Sequence, residues 1–378
     1  MKNILVTGGA GFVGSHLVEE LVRLGHRVTV FDNLDPQVHG ENADFPDYLP
    51  DSAECIKGDV RDRDALRRAM LGKEVIFHEG AAVGVGQSMY EIRRYTDYNS
   101  VGGATLLDIL VNDFDVRDKI EKVVVASSMS IYGEGAFECP DCGPVDVRLR
   151  PASQLERFEW EVQCPECGKP ARALPTGERK RLDPTSVYAI TKRDHEEMFL
   201  SVGTSYRIPT TALRYFNIYG PRQALSNPYT GVAAIFSSRV LNGNPPVVYE
   251  DGAQSRDFVH VTDIVQANIL SMQKREADYQ VFNVGSGRSV TIRRVGELLI
   301  ERLAPGSGLA PVLTNKFREG DVRHCFADIG KISATLGYRP RVQFEQGIED
   351  LTEWVRTQTA VDRFEEAAKE LRRRGLAQ

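Results

Sequence analysis

Short apolar runs alternate with a segment of helical apolar spacing along the N-terminal part of the chain. Lys2–Thr7 is a largely apolar run, which predicts a strand buried on both faces of a parallel sheet. Apolar residues then recur at helical spacing across Leu17–Leu24, and a second apolar run, Arg27–Phe31, ends at Asp32. A strand, a helix and a second strand in this order predict a parallel α/β unit.

The same pattern continues further along the chain. Apolar runs at Glu74–His78 and Val123–Ala126 predict two more buried strands. An amphipathic segment that ends in the basic cluster Arg372–Arg374 predicts a C-terminal surface helix. The chain of 378 residues is long enough for about two domains.

The turn between the first strand and the first helix reads TGGAGFVG and places Gly8, Gly11 and Gly14 ahead of the helix. Glycines let the backbone approach a pyrophosphate, and the helix N-terminus offers it unpaired N–H groups. Asp32 ends the second strand, where a carboxylate accepts hydrogen bonds from ribose hydroxyls and repels a 2′-phosphate. The pattern therefore predicts a Rossmann-type dinucleotide site that prefers NAD to NADP.

Tyr188 and Lys192 lie four residues apart in SVYAITK, so they share one face of a predicted helix. An ammonium close to a phenol favours the phenolate, and we therefore expect Lys192 to lower the pKa of Tyr188. A tyrosine with a lowered pKa is usable as a base near neutral pH. Ser128 follows the predicted strand Val123–Ala126, where its hydroxyl would orient a substrate oxygen. These three residues are the predicted catalytic residues.

Together, TGGAGFVG, SSMSIYG and SVYAITK resemble motifs of the extended short-chain dehydrogenase/reductases, in the sugar-nucleotide epimerase/dehydratase family. YNSVGGATLL, RYFNIYGPR, SRDFVHVTD and REGDVR resemble further segments of that family. The resemblance runs from Lys2 to about Asp350 and is interrupted by one cysteine-containing segment.

The resemblance implies an α/β fold, with a Rossmann-type doubly wound parallel sheet and a smaller C-terminal α/β substrate domain. Residues 1–215 would form the NAD-binding domain, interrupted by a zinc-ribbon-like insert over residues 137–180. Residues 216–378 would mainly bind the sugar nucleotide, with some segments returning to the sheet.

Two sets of ligand-binding residues are implied by the resemblance. The residues implied for the cofactor are Gly8, Gly11, Phe12, Val13, Gly14, Asp32, Asn33, Asp59, Val60, Ala81, Ala82, Asn99, Tyr188 and Lys192. Those implied for a nucleotide-diphosphate sugar are Ser128, Asn217, Arg256 and Arg318, the last three at the diphosphate. The pair Glu79–Gly80 departs from the family pattern, which usually has an apolar residue and alanine there.

In this family the cofactor oxidises a sugar C4 hydroxyl to a ketone, and additional side chains decide the fate of that ketone. Dehydratases carry an acidic pair directly after the catalytic Ser or Thr, and uronate decarboxylases carry Glu two residues after it. Met129 and Ser130 stand there instead, so the resemblance implies a nucleotide-sugar 4-epimerase with tightly held NAD.

Several stretches, among them DNLDPQVHG and GPRQALSNPYTGVAAIF, are similar to family members of the dTDP-L-rhamnose 4-epimerase type. A dTDP-6-deoxyhexose such as dTDP-L-rhamnose is therefore the expected substrate. A UDP-glucose or UDP-glucuronate 4-epimerase is one alternative, and a sugar-nucleotide dehydratase or reductase is another. A non-catalytic NAD-binding regulator is an alternative of a different class.

Four of the six cysteines form two CPxCG knuckles, with ligand candidates Cys139, Cys142, Cys164 and Cys167. C-x₂-C pairs with this separation are close to zinc-ribbon spacing, and four thiolates make a closed, structural zinc site. A redox dithiol pair, disulfides and unliganded thiols remain alternatives. The insert that carries the knuckles could cover the sugar as a lid, dock a partner or have no role in catalysis.

The net charge of −6 argues against a dedicated nucleic-acid partner, because phosphate contacts need clustered Lys and Arg. No apolar stretch approaches a membrane span, and the start of the chain has no signal-peptide pattern, so we expect a cytoplasmic protein without a membrane partner. The segments Asn99–Leu110 and Tyr188–Leu200 resemble the helix pair through which family members dimerise, which implies a homodimer.

Overall fold

A computed structural model describes residues 1–318 and 320–377. The strands belong to one large sheet and several small ones. In chain order they are β1 Asn3–Thr7, β2 Arg27–Asp32, β3 Glu54–Lys57, β4 Val75–His78, β5 Lys122–Ser128, β6 Ala136–Cys139, β7 Gly143–Val145, β8 Arg172–Leu174, β9 Thr210–Tyr215, β10 Asn217–Tyr219, β11 Val247–Val248, β12 Ser255–Arg256, β13 Phe258–His260, β14 Gln280–Val284, β15 Val290–Thr291, β16 Val312–Leu313 and β17 His324–Cys325.

The helices range from single turns to a helix of 20 residues. In chain order they are α1 Phe12–Arg23, α2 Pro36–His39, α3 Arg63–Met70, α4 Val85–Ser88, α5 Ile92–Tyr95, α6 Gly102–Asn112, α7 Phe114–Arg117, α8 Ala152–Leu155, α9 Val187–Tyr206, α10 Val232–Leu241, α11 Val261–Gln273, α12 Ile292–Leu303, α13 Gly330–Leu336, α14 Phe344–Arg356 and α15 Phe364–Arg373. A π-helical segment, Thr96–Val101, leads into α6, and 3₁₀ turns lie at Met129–Tyr132 and Arg275–Ala277.

Seven strands form the central sheet in the order β14-β9-β5-β4-β1-β2-β3, and every neighbouring pair is parallel. The apolar runs predicted as strands are found as β1, β2, β4 and β5. The strand order reverses between β1 and β4, because β2 lies on one side of β1 and β4 on the other. In such sheets, ligands bind beside the carboxyl ends of the strands at this reversal. The doubly wound parallel sheet expected from the sequence is confirmed.

Helices cover both faces of the sheet and bury its apolar side chains. One core joins α1 and α11 to the sheet and includes Leu17, Leu21 and Ile264. The core on the opposite face joins α3, α6 and α9 to the sheet and includes Leu66, Leu106 and Phe199. These cores hold the strands rigidly, so the loops at their carboxyl ends stand on a fixed frame.

The chain after β9 builds a smaller α/β unit and also returns to the central sheet. Helices α10, α12 and α14 enclose a separate apolar core, in which the Tyr219, Phe258 and Phe344 rings meet edge to face or tilted. Around this core lie the pairs β10–β13 and β11–β16 and the three-stranded sheet β15-β12-β17. Strand β14, from the same part of the chain, pairs with β9 at the edge of the large sheet.

Residues 137–180, which we call the cysteine module, form a small antiparallel sheet in the order β7-β6-β8. Its own apolar core has four buried side chains, contributed by Phe137, Val147, Val162 and Ala171. Within the described residues, no helix has both the length and the apolar character needed to cross a membrane.

Candidate active site

One cavity of about 860 Å³ opens at the carboxyl ends of the central strands. Its wall combines the glycine turn after β1, the ends of β4 and β5, the start of α9 and loops of the smaller unit. The sequence-predicted site residues in this wall are Gly8, Gly11, Phe12, Val13, Gly14, Asp32, Asn33, Val60, Ala81, Ala82, Ser128, Tyr188, Lys192, Asn217, Arg256 and Arg318. A single space therefore adjoins nearly all of the predicted residues.

The glycine turn is packed so closely that side chains are excluded from two of its positions. Gly8 has φ +68°, and a Cβ there would stand 2.7 Å from the backbone of Gly80. A Cβ on Gly14 would stand 2.1 Å from the carbonyl oxygen of Gly8. The turn is therefore compact, and α1 begins at Phe12 with its N-terminal N–H groups at the cavity. This is the arrangement that suits a pyrophosphate.

The Asp32 carboxylate lies at the end of β2 and is nearly fully buried. It accepts hydrogen bonds from the backbone N–H groups of Ala10 (3.0 Å) and Leu34 (2.9 Å), which fix its position in the cavity wall. Asn33 also faces the cavity. Asp59 lies just behind the wall, where it holds Arg61 through two side-chain hydrogen bonds, and that guanidinium lowers the pKa of Asp59 against the effect of burial.

Asn99 was predicted to contact the cofactor, but its side chain is fully buried and is not part of the cavity wall. Its Oδ1 accepts a hydrogen bond from the N–H of Ala82 (2.8 Å), and its Nδ2 donates to the Ala82 carbonyl (3.1 Å) and to Thr191 (2.9 Å). Asn99 therefore fixes the Ala81–Ala82 loop against α9. Asn99 therefore affects the cavity indirectly, through the position of that loop.

Ser128, Tyr188 and Lys192 lie together because β5 ends beside the first turns of α9. The α9 N-terminus is capped by Ser186, whose hydroxyl accepts from the N–H of Ala189 (3.1 Å). Lys192 donates from Nζ to the carbonyl oxygen of Ala126 (2.9 Å), which ties α9 to β5. All three predicted catalytic side chains are nearly fully buried and face the cavity.

The neighbouring serine has a different role. Ser127 donates from Oγ to Glu196 (2.8 Å), on the side of β5 away from Ser128. Ser128 has its hydroxyl in the cavity wall, where it accepts from the N–H of Ser130 (3.2 Å). Both serines adjoin the cavity, and the Ser127 hydroxyl is the one engaged with a buried carboxylate.

Burial controls the pKa values of Tyr188 and Lys192. It raises the pKa of Tyr188 to about 12, although the Ser128 hydroxyl opposes the shift. It lowers the pKa of Lys192 to about 8, although the carboxylate of Glu79 opposes that shift. The sequence predicted that Lys192 lowers the pKa of Tyr188. In the structure the pKa of Tyr188 is raised instead, because the phenol loses its hydration on burial.

Glu79 is a site residue that sequence reasoning marked only as a departure from the family pattern. It follows β4 directly and lies in the cavity wall. Its Oε1 accepts a hydrogen bond from the Tyr215 hydroxyl (2.8 Å), which accepts in turn from Asn268 (2.7 Å). Burial raises the pKa of Glu79 to about 7, against the effects of Tyr215 and Lys192. The cavity therefore holds a carboxyl group and an ammonium group that both titrate near neutrality.

Polar side chains of the smaller unit line the other end of the cavity. Arg256 donates to the carbonyl oxygens of Ser255 (2.9 Å) and Arg323 (3.1 Å), and it also pairs with Asp321 (3.3 Å). Arg318 pairs with the same Asp321 (3.4 Å), and its guanidinium lies 4.5 Å from the centre of the Tyr249 ring. Two guanidinium groups thus converge on one carboxylate beside the cavity, an arrangement that suits a diphosphate.

Asn217 also faces this cavity. Its Oδ1 atom is buried and has no hydrogen-bond partner within the described part of the chain. An unpaired buried acceptor of this kind is costly, and a bound ligand with a donor would satisfy it.

The C-terminal helix is a second element whose place the sequence did not reveal. The sequence predicted a surface helix there, and α15 is found at Phe364–Arg373. Its inner face closes one side of the cavity with Phe364, Ala367, Ala368 and Leu371. Leu371 packs 3.4 Å from the position of a Cβ on Gly86, and Arg374 lies over the Tyr90 ring. This side of the cavity wall is therefore largely apolar.

The four knuckle cysteines come together as one cluster at the tip of the cysteine module. Their sulfur atoms all lie within 4.8 Å of one another, and Sγ of Cys139 is 3.5 Å from Sγ of Cys167. A tetrahedral zinc site with Zn–S bonds of about 2.3 Å has sulfur–sulfur edges of roughly 3.8 Å. The donor set therefore fits a four-sulfur metal site.

Comparison with known proteins agrees with this geometry. Residues 4–152 match the profile of the NAD dependent epimerase/dehydratase family, and residues 168–351 match the profile described as GDP-mannose 4,6 dehydratase. The chain is 35% identical to the dTDP-L-rhamnose 4-epimerase of Burkholderia thailandensis, with 94% of this chain and 95% of that protein covered.

Solved structures of similar fold include epimerases with sugar nucleotides. UDP-glucose 4-epimerase of Thermotoga maritima with UDP-glucose has a TM-score of 0.73 and 31% identity, covering 94% of this chain and 98% of that one. UDP-N-acetylglucosamine 4-epimerase of Methanobrevibacter ruminantium has a TM-score of 0.72 and 32% identity, covering 95% and 99%. The sheet, the glycine turn and these relatives lead to one conclusion: the chain belongs to the NAD-dependent epimerase/dehydratase family of short-chain dehydrogenase/reductase enzymes.

Proposed function

We propose that this chain is a nucleotide-sugar 4-epimerase that retains NAD and acts on a dTDP-6-deoxyhexose such as dTDP-L-rhamnose. One observation carries the proposal: Ser128, Tyr188 and Lys192 share a cavity with the glycine turn, while the residues after Ser128 are Met129 and Ser130. Neither of these two side chains supplies the carboxyl group that elimination of water across C5 and C6 needs.

In the proposed reaction, the Tyr188 oxygen takes the proton of the C4 hydroxyl and later gives it back. Ser128 donates a hydrogen bond to the same sugar oxygen, and Lys192 supplies the positive charge that stabilises the phenolate. NAD, when bound, would supply a hydride acceptor and donor for C4, used on opposite faces of the sugar ring. Burial of all three side chains keeps water away from the ketone between the two transfers.

The cofactor would lie along the carboxyl ends of β1, β2 and β4. Gly8, Gly11 and Gly14 would approach its pyrophosphate, and Asp32 would accept from a ribose hydroxyl. The remaining contacts would come from Phe12, Val13, Asn33, Val60, Ala81, Ala82, Tyr188 and Lys192. Asp59 and Asn99 lie outside the cavity lining and would hold the neighbouring residues of the cofactor site in position.

At the other end of the cavity, Arg256 and Arg318 would bind the diphosphate. Asn217 would donate to the diphosphate from Nδ2, and its unpaired Oδ1 would accept from a hydroxyl of the ligand. The choice of a deoxyhexose draws support from the apolar wall that α15 and Met129 provide, because a methyl group at C6 has no hydroxyl to satisfy. The identity of 35% to a dTDP-L-rhamnose 4-epimerase supports the same choice.

A UDP-sugar 4-epimerase is the second candidate, and the fold match to a UDP-glucose complex favours it. The two are separated by incubating the purified chain with dTDP-L-rhamnose, UDP-glucose and UDP-glucuronate separately, without added reductant. NMR of the products should show inversion at C4 with dTDP-L-rhamnose. Inversion of a UDP-sugar alone would replace the first substrate with the second, and inversion of none would overturn the epimerase proposal.

The cysteine cluster is proposed to hold one structural zinc ion, since four sulfur ligands leave no open position for water. Metal analysis of the purified chain should find close to one zinc per chain. Replacing Cys139 and Cys164 together by serine should remove it, whereas Cys55→Ser, outside the cluster, should not. Zinc-free native protein with titratable thiols would contradict the assignment.

We further propose a cytoplasmic homodimer that pairs through α9 and residues 92–112. Large apolar side chains exposed on these mutually packed helices include Ile92, Val101 and Ile190. Apolar side chains exposed on paired helices are the kind that a partner subunit covers.

A further inference from the structure

The cysteine module touches the loop that carries the substrate-site arginines, and it does not reach the cavity itself. Of the described residues that line the cavity, none belongs to residues 137–180. In this structure the module therefore does not form a lid. Its Leu155 and Trp160 side chains instead bury Phe317, the residue directly before Arg318.

A buried ionic network reinforces this contact. Arg150 of the module donates two hydrogen bonds to the carboxylate of Glu250, at 3.0 and 2.9 Å. It also donates to the carbonyl oxygens of Trp160 (2.9 Å) and Asp321 (3.2 Å). Arg150 thus joins the module to the residue whose side chain pairs with both Arg256 and Arg318.

Arg323 lies at the centre of the same network and its side chain is fully buried. It donates to Glu161 of the module (2.6 and 3.2 Å), to Glu250 (2.9 Å) and to Asp251 (2.7 and 3.0 Å). A buried guanidinium that loses one carboxylate partner is left with charge that the interior does not compensate. The segment 321–323 is therefore held in place partly by the module.

The same segment positions Arg256. The guanidinium of Arg256 donates to the carbonyl oxygens of Val322 and Arg323 and pairs with Asp321. A displacement of this backbone would consequently move the Arg256 head group, and with it the spacing between Arg256 and Arg318. Diphosphate recognition by two guanidinium groups depends on that spacing.

The module depends on its cysteines in turn. Glu161 lies beside Val162, whose carbonyl accepts from the N–H of Ala171 (2.8 Å), next to the second knuckle. Four buried side chains are a small core for a segment of this size, so metal ligation would supply much of its folding free energy.

We propose that the cysteine module is a brace for the diphosphate end of the substrate site, in which Arg150 and Glu161 position Arg256 and Arg318. An intact cysteine cluster then raises affinity for a nucleoside diphosphate. This inference rests on the proposed function, because it takes the two arginines as diphosphate ligands.

The test compares Glu161→Gln with Glu159→Gln in the full chain. Glu159 is in the same module, but among the described residues its side chain bonds only to Arg157 and Gln163. The rate of backbone hydrogen exchange over residues 318–325, measured without ligand, reports whether the module stabilises this segment. Calorimetry with dTDP and with UDP reports the diphosphate site, and NAD content reports the rest of the fold.

For Glu161→Gln we expect faster exchange in that segment, a dissociation constant for dTDP or UDP raised roughly tenfold and unchanged NAD content. With a sugar nucleotide that the enzyme converts, KM should rise while kcat stays near its original value. Cys142→Ser should act in the same direction, and Glu159→Gln should match the unaltered chain.

Equal exchange and equal affinity in Glu161→Gln and Glu159→Gln would overturn the brace. Faster exchange in Glu161→Gln without any change in affinity would overturn its link to the diphosphate. If the unaltered chain binds neither dTDP nor UDP, that link fails together with the proposed function, whereas the exchange result still decides on the contacts themselves.

Discussion

At the scale of single residues, Tyr188 and Lys192 gain their chemistry from burial. The phenol has a pKa of about 12 and the ammonium a pKa of about 8, both shifted toward the uncharged form by loss of hydration. At neutral pH the phenol is therefore uncharged, while Lys192 still carries most of its positive charge. A bound cofactor and sugar would have to favour the phenolate, which makes Tyr188 an acid or base only when the site is filled.

Replacing Tyr188 by Phe is expected to lower kcat by roughly 10³-fold, because the proton of the C4 hydroxyl then has no acceptor. NAD content after denaturation should stay close to that of the unaltered chain, since the glycine turn, Asp32 and Lys192 would still hold the cofactor. Tyr206→Phe is the control, because Tyr206 lies on the same helix and is exposed. Equal loss in both variants would contradict the catalytic role.

Glu79 gives a pH-dependent prediction. Its negative charge raises the pKa of Lys192, so Glu79→Gln should lower that pKa below about 8. If charged Lys192 is required, activity is present below this pKa and is lost as the pH rises through it. The alkaline limb of the kcat/KM profile should therefore move to lower pH in Glu79→Gln. If the alkaline limb stays at the same pH in Glu79→Gln, Glu79 does not influence the group whose ionisation controls activity.

At the scale of elements, the glycine turn and α1 form the most constrained part of the cavity. Gly14→Ala would place a methyl group 2.1 Å from the Gly8 carbonyl oxygen, so the turn would have to open. We expect purified Gly14→Ala to retain much less NAD, measured by absorbance after denaturation. In Gly177→Ala the nearest atom is 3.8 Å away, so this control should retain NAD fully. Full retention in both would contradict the assigned cofactor site.

Local signals predicted the elements well. The strands β1, β2, β4 and β5 and the helix that carries Tyr188 and Lys192 are predicted by apolar runs and spacing within a few residues. The glycine turn also has a local cause, because positive φ and close backbone approach both demand glycine.

Features that depend on distant contacts were missed. Glu79 meets Tyr215 across 136 positions, and α15 closes a cavity whose other walls come from far earlier in the chain. Asn99 was given a cofactor contact because a motif names residues without saying which atoms face the ligand. The bond between Glu161 and Arg323 likewise leaves no periodic trace in the sequence.

At the scale of the whole molecule, one sheet, one smaller unit and one inserted module meet around the same ligand space. The sheet provides the cofactor side, and the smaller unit provides the arginines. The cysteine module contacts the arginine loop, and none of its described residues lines the cavity, so its proposed contribution is to binding rather than to the chemical step.

The exposed apolar side chains on α9 and its neighbours predict the assembly. Ile190→Asp should shift a homodimer toward monomer in light scattering, because a carboxylate would be buried without a partner at the interface. Val361→Asp places the same charge at an exposed apolar position away from these helices and should leave the mass unchanged. A monomeric unaltered chain would contradict the proposal.

The central claim is that hydride leaves C4 and returns to C4 within one active site. It is tested most directly with dTDP-L-rhamnose carrying deuterium at C4, with the product analysed by NMR and mass spectrometry. The product should be inverted at C4 and keep its deuterium, with no lasting rise in NADH absorbance. Loss of the label, or accumulation of NADH in step with product, would contradict it.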